Sequence, residues 1–241
     1  MDHPRSNGEL KRTESGSRSG MASEAVENYL KALEALCRES PTGEAGMKRL
    51  AAVVGVTTGT ATSMAKKLAA AKLAKYERFG GISLTAKGRA AARDILRRHR
   101  LIETFLVETL KLDWSVVHAE AERLEHAISP AVLEALDRHL GHPRVDPHGD
   151  PIPDAVGSVG EARGRSLCEF AVGSRVRVAR VADQDRAFLE FIAKQGLKPG
   201  AVATVTAVDT PAQAIRITPE GRDPVSLGFA AAGKIMVESP R

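Results

Sequence analysis

The sequence predicts a mainly α-helical protein that ends in an all-β domain: a winged helix-turn-helix, a helical region rich in possible metal ligands, and a small SH3-like barrel. Three observations predict it. Two short helical segments meet at a glycine turn and are followed by a glycine hairpin. Residues 87–141 carry long amphipathic patterns. Residues 176–238 alternate apolar and polar positions in short runs. The 241 residues are 43% hydrophobic, which supports several cores, and the net charge of +5 is compatible with nucleic acid without demanding it.

Residues 1–21 are rich in Ser, Gly, Arg and Glu and bury too little apolar surface to order themselves, so they read as a disordered tail. From Ser23, an N-cap residue type, Val26, Tyr29, Leu30, Leu33 and Leu36 form a helical apolar stripe. Met47–Val54 is a short helix closed by Gly55, and Thr57-Thr58-Gly59-Thr60 opens a second one running to about Ala71. Leu73–Arg78, Gly80-Gly81 and Ile82–Thr85 then read as a β-hairpin, completing a winged helix over 22–88.

A long helix follows from near Lys87 to about Leu110. Ser115 is read as the cap of the next helix, and Ser129-Pro130 opens a further one that ends at Gly141. These helices make up one helical region over 89–142. Residues 143–165 are dense in Pro, Gly and Asp and read as a linker. In the barrel, 166–241, strands are expected at Val176–Val181, Ala201–Val208, Ala214–Thr218 and Ile235–Glu238, with a short helix at Asp185–Gln195.

The chemistry concentrates in two stretches. His118, Glu122, Glu125 and His126 fall at i, i+4, i+7 and i+8, which stacks them on one face of a helix. His99 and Glu103 repeat the i, i+4 spacing just upstream. Imidazole with carboxylate suits divalent first-row ions such as manganese, iron, nickel or zinc. In the helix-turn-helix, Thr57, Thr58, Gly59, Thr60, Thr62 and Ser63 line the start of the second helix, where hydroxyls reach phosphates and methyl groups reach thymine. Lys66, Lys67 and Arg78 are candidates for backbone contacts. Leu101, Phe105, Leu106, Leu110, Val132, Leu133 and Leu136 are candidates for either a dimer face or the core, and Trp114 for a core anchor. His139, His142 and His148 read as surface residues of the linker region.

The two cysteines, Cys37 and Cys168, sit in no metal-type spacing and form no disulfide framework, which favours a reducing compartment. No apolar run is long enough for a bilayer and no secretory signal is present, so a cytoplasmic protein without a membrane partner is expected. A His-Glu-x-x-His motif, a nucleophile elbow and a phosphate loop are all missing, so neither catalysis nor a small-molecule substrate is expected. Two alternatives stay open: a metal-dependent enzyme, and a metal-independent winged-helix regulator.

Taken together, these residues resemble the metal-dependent repressors of the diphtheria-toxin-repressor and manganese-transport-regulator family. The likeness runs through Asn28-Tyr29-Leu30, Leu84-Thr85-Ala86-Lys87-Gly88, the stretch from Arg97 to Glu103, the stretch from His118 to His126, and Asp146-Pro147-His148-Gly149-Asp150-Pro151-Ile152-Pro153. The resemblance implies that 89–142 is a metal-binding and dimerisation domain with two metal sites. One comprises His99, Glu103 and His118; the other comprises Glu122, Glu125 and His126 with a first-helix residue, which falls on Asn28. Iron-responsive members resemble one another in having Cys at the position of Glu122. An all oxygen-and-nitrogen site suits Mn²⁺ first and Fe²⁺ second. Lys31 stands where two-domain members place a further ligand, so their binuclear arrangement is not implied. The barrel's contribution falls on Asp183 or Gln184, with Arg180 where a Glu is expected. By the same likeness, a homodimer would grip double-stranded operator DNA, its winged helices about 34 Å apart once metal is bound.

Overall fold

The computed structural model describes residues 15–78 and 80–240. The described chain divides into two compact units, one ending at Ala92 and the other beginning at Arg93.

In the first unit, helix α1 (Ser15–Glu39) buries Tyr29, Leu30, Leu33, Leu36 and Cys37 along one stripe. Its start at Ser15 puts Ser23 inside the helix, not at its cap. Once the apolar stripe anchors a helix, adding upstream residues costs little. The part of the expected tail before Ser15 lies outside the described residues. Helix α2 (Met47–Val54) ends at Gly55, whose φ of 73° is the left-handed conformation that glycine adopts without strain. The backbone then turns into α3 (Thr58–Ala70), where the Thr57 hydroxyl accepts from Thr60 N at 3.2 Å. Strands β1 (Ala74–Tyr76) and β2 (Ile82–Leu84) pair with Lys75 opposite Ser83, and Ala45 bridges to Ile82. This is the expected winged helix.

Helix α4 (Ala86–Glu108) crosses the boundary between the units, and α5 (Val117–Leu124) and α6 (Pro130–His139) complete the helical region. Ile102, Leu106, Val117 and Ala121 form one core, and Leu101, Leu133 and Ile152 form another. Leu101, Leu106 and Leu133 are therefore core residues of the protomer. Leu110, Leu124 and Val132 remain exposed.

Two boundaries of this helical region differ from expectation. Ser115 does not cap α5: its hydroxyl donates to Asp113 Oδ1 at 2.5 Å and its amide donates to the same oxygen at 2.9 Å, so the turn captures it. Helix α5 also stops at Leu124, leaving Glu125 at its C-cap and His126 in the following turn. The next helix begins only after Ser129, which caps it, with Pro130 in its first turn.

The second unit ends in a six-stranded antiparallel sheet. It contains β3 (Arg165–Ser166), β4 (Arg175–Val181), β5 (Val202–Asp209), β6 (Ala214–Pro219), β7 (Val225–Gly228) and β8 (Ile235–Glu238), in the order β3-β8-β4-β5-β6-β7. Helix α7 (Arg186–Lys194) follows β4 and α8 (Phe229–Ala232) precedes β8. Alternate residues of β4, β5, β6 and β8 point into a core shared with Leu189, Ile192 and Trp114. Strands β3, of two residues, and β7, of four, were not anticipated.

The segment read as a linker is held in place. Arg93 donates to Gly157 O at 3.1 Å, Arg97 to Pro153 O at 2.7 Å and Arg100 to Pro151 O at 2.5 Å. On its other side, Val181 N of β4 donates to His148 O at 2.9 Å. The segment is thus a strap between α4 and the sheet. Among the described residues, no helix is long and apolar enough to cross a membrane.

Candidate metal centre

Because α4 carries His99 and Glu103 one turn apart, both side chains point to the same interior, where α5 supplies His118 and Glu122 and its C-terminal turn supplies Glu125. Glu103 and Glu125 are fully buried and His99 nearly so. His99 Nδ1 lies 2.5 Å from Glu125 Oε2 and 3.9 Å from Glu122 Oε1. Its Nε2 lies 3.0 Å from both Glu103 Oε1 and His118 Nδ1. His118 Nε2 lies 3.7 Å from Glu122 Oε1, and His126 Nε2 lies 3.6 Å from Glu125 Oε1. Separations of about 3 Å are those of neighbouring ligands around one octahedral cation. His99, His118 and Glu122 thus form an outer cluster, bordered by Glu125 and His126.

A second, inner cluster was not foreseen: Glu103, Asp146 and His148, all buried. The strap folds His148 inward, fully buried and stacked on Trp114 with ring centroids 5.4 Å apart, so it is not a surface residue. The only sign in the sequence is a histidine with two aspartates inside a Pro/Gly turn, Asp146-Pro147-His148-Gly149-Asp150.

The inner donors fit a cation. His148 Nε2 donates to Trp114 O at 2.9 Å, which leaves Nδ1 with a lone pair, 3.8 Å from Glu103 Oε2. That is the support a metal-binding imidazole normally has. Asp146 Oδ1 accepts from His148 N and Asp150 N at 2.8 and 3.0 Å, and this turn presents the other oxygen to the cluster. Three buried atoms, Glu103 Oε2, His148 Nδ1 and Asp146 Oδ2, have no hydrogen bond. Each would cost about 1–3 kcal/mol if left so, whereas one divalent ion satisfies all three.

The electrostatics match. Burial works against the charge of Glu103, but His99, His118 and His148 outweigh it and hold the carboxyl well below its usual range. Asp146 goes the other way: burial, then the neighbouring Glu103 and Asp150 carboxylates, push it up to about 7. Burial alone would lower His148, yet the close Glu103 carboxylate and, behind it, the charge of Asp146 outweigh burial and raise it.

Other predicted residues lie elsewhere. The structure does not bring Asp183 to either cluster: its carboxylate accepts from Lys234 Nζ at 2.5 Å and from Asp185 N at 2.9 Å. Arg180 and Gln184 both engage Asp150 instead, at 3.1 and 3.4 Å. Asn28 lies on α1 in the first unit, its Oδ1 buried without a hydrogen bond among the described residues. In the helix-turn-helix, Thr57, Thr58, Gly59, Thr60, Ser63, Lys66, Lys67 and Arg78 are exposed. Thr62 is half-buried and its hydroxyl donates to Thr58 O at 2.8 Å.

A winged helix joined in one chain to a buried histidine–carboxylate centre defines a metal-responsive DNA-binding regulator. The family model described as iron dependent repressor, metal binding and dimerisation domain matches residues 85–154, and the FeoA domain model matches 165–239. The iron-dependent repressor IdeR of Mycobacterium tuberculosis is 35% identical over 169 residues, 65% of this chain and 73% of its own length. The transcriptional regulator MntR of Escherichia coli O157:H7 is 33% identical over 113 residues, 47% of this chain and 71% of its own length. A solved manganese-dependent transcriptional repressor in complex with manganese is 38% identical with a TM-score of 0.81, covering 89% of this chain and all of that one. The chain belongs to this family of metal-dependent transcriptional repressors, whose members are regulators and not enzymes.

Proposed function

We propose that this protein is a cytoplasmic, Mn²⁺-responsive repressor of metal-uptake genes, with Fe²⁺ as the second metal, and that it binds operator DNA as a homodimer. The observation that carries the reading is the pair of clusters built only from imidazole and carboxylate, the outer half-buried and the inner buried, with three ligand-type atoms of the inner one lacking a hydrogen bond. A donor set without thiolate favours a hard ion. The similarity to a manganese-dependent repressor supports the same choice.

In this reading His99, Glu103, His118, Glu122, Glu125 and His126 hold metal, with Asp146 and His148 as added ligands and Asn28 as the link to the first helix. The bound ion would supply positive charge that draws carboxylates of α4, the α5 turn and the strap together. Glu103 and His148 are held ready for it by Trp114 and the surrounding imidazoles. The exposed start of α3 meets the major groove, its helix N-terminus and Thr57, Thr58, Thr60 and Ser63 approaching phosphates and bases. Lys66, Lys67 and Arg78 approach the backbone. Leu110, Leu124 and Val132 supply exposed apolar surface for a second copy. Metal binds the DNA-competent arrangement more tightly and so shifts a pre-existing equilibrium.

The test is fluorescence anisotropy of DNA from upstream of the protein's own gene, titrated with chelator-treated protein and then with Mn²⁺, Fe²⁺ or Zn²⁺. Affinity is expected to rise at least tenfold with Mn²⁺. Affinity indifferent to metal would defeat the proposal.

A further inference from the structure

We propose that Arg180 and Gln184 are positioning residues: they clamp the strap through Asp150 and hold the barrel on the helical region before any metal arrives. The barrel then serves the metal centre by fixing the strap, not by giving it a ligand. This rests on the metal-responsive reading above and adds the part that the barrel plays in it.

The family likeness expects a Glu where Arg180 stands and a barrel ligand at Asp183 or Gln184. An arginine has no lone pair to offer a cation and repels one. Arg180 Nη1 instead donates to Asp150 Oδ1 at 3.1 Å, and Gln184 Nε2 donates to Asp150 Oδ2 at 3.4 Å, so the barrel places a donor on each oxygen. From α4, Arg100 Nη2 lies 3.7 Å from Asp150 Oδ1, and Arg100 Nε lies 3.5 Å from Asp146 Oδ2. Asp150 thus joins a guanidinium of the helical region to one of the barrel. The side chains of Arg100, Asp150 and Arg180 are 12%, 11% and 22% exposed, so salt and water screen this set little. Removing one member leaves the others as uncompensated charges.

Backbone and apolar contacts fasten the same two parts. Ala179, Arg180 and Val181 are consecutive on β4, and each meets the strap. Gly149 approaches Ala179 O so closely that a Cβ would lie 2.1 Å from it, and Val181 N donates to His148 O at 2.9 Å. Trp114, from the turn before α5, is buried within the barrel's core, and Val107 of α4 packs against that core too. Lys198 Nζ lies 5.1 Å from the centre of the Trp114 ring. None of these contacts uses an atom that a cation needs. Releasing the barrel would return Trp114 and the core around it to water, so docking has a driving force of its own without metal. What docking fixes is the strap: Asp150 N donates to Asp146 Oδ1 at 3.0 Å, and His148 lies between the two aspartates in the chain.

The test uses Trp114, the one tryptophan in the chain, in the full-length protein. Its emission maximum and its protection from acrylamide are expected to be the same in chelated and Mn²⁺-loaded samples. In the chelated Arg180→Ala variant the maximum should move to longer wavelength and quenching should increase. By equilibrium dialysis, that variant should bind Mn²⁺ about tenfold to a hundredfold more weakly, the usual effect of losing a group that orients ligands. On charge alone, removing a cation beside the centre would tighten Mn²⁺ binding, so the sign of the change separates the two accounts. Arg180→Lys, which keeps the charge, should recover part of the affinity. Circular dichroism would establish that Arg180→Ala folds; if it does not, the native fluorescence comparison and Arg180→Lys decide. A native Trp114 emission that shifts on chelation would refute the clamp while leaving metal-dependent DNA binding intact. Mn²⁺ affinity unchanged or increased in Arg180→Ala would refute the positioning role. Failure of the native protein to bind Mn²⁺ would overturn that role together with the reading beneath it.

Discussion

Gly149 shows how far one residue can decide the path of the strap. Its φ of +90° is a conformation side-chain-bearing residues rarely adopt, and a Cβ placed there would lie 2.1 Å from Ala179 O on β4. Gly173, with φ of +87° and nothing within 4 Å of a Cβ, shares the first constraint without the second. Gly149→Ala should therefore cost at least about 3 kcal/mol, against about 1 kcal/mol for Gly173→Ala, in urea unfolding followed by Trp114 fluorescence. Equal costs would mean that the strap does not press against β4 as described. His148, the neighbouring residue, could not be read correctly from the chain: its segment has the composition of a solvated loop. The guanidinium contacts of Arg93, Arg97 and Arg100, which show that the segment is held, join residues 51 to 64 positions apart.

At the level of elements, what was legible depended on whether the signal was local. Gly55, Thr57 and Ser129-Pro130 work through bonds within three or four residues, and each marks the boundary it was read to mark. Ser115 misled because a competing partner, Asp113, sits two residues away and is equally local. The i, i+4 pair His99–Glu103 was legible for the same reason that helices are. The grouping of ligands was not: it pairs α4 with the strap, a contact that no spacing encodes. The cap at Thr57 also gives a test. Thr57→Ala removes the acceptor for Thr60 N and should lower stability by about 1 kcal/mol in chemical denaturation. Thr57→Ser should restore most of it, whereas a loss of stability in both would point to the methyl group's packing instead of the cap.

Across the second unit, the inner cluster joins α4, the strap and the sheet, so its protonation bears on the stability of the whole unit. Without metal, folded Asp146 binds a proton up to about pH 7, whereas an unfolded chain releases it near 3.8. The folded state therefore holds the extra proton between those values, and stability falls as pH rises through that window. His148, raised above its ordinary 6.5, acts in the same direction at the upper end, because its charge is lost as pH rises. Glu103 opposes them only at lower pH: its depressed carboxyl contributes stability above its ordinary 4.5 that is lost as pH falls further. The chelated protein should thus melt at its highest temperature at about pH 4.5 and lose stability from there toward pH 8. A bound cation needs Asp146 ionised and His148 Nδ1 unprotonated, so affinity should rise over the same interval. The melting-temperature gain from saturating Mn²⁺ should accordingly be small near pH 5.5 and grow steadily to pH 8. Thermal melts at fixed ionic strength, with chelator or Mn²⁺, would read both curves. A Mn²⁺ gain that is flat across that range would mean that Asp146 and His148 do not face the cation.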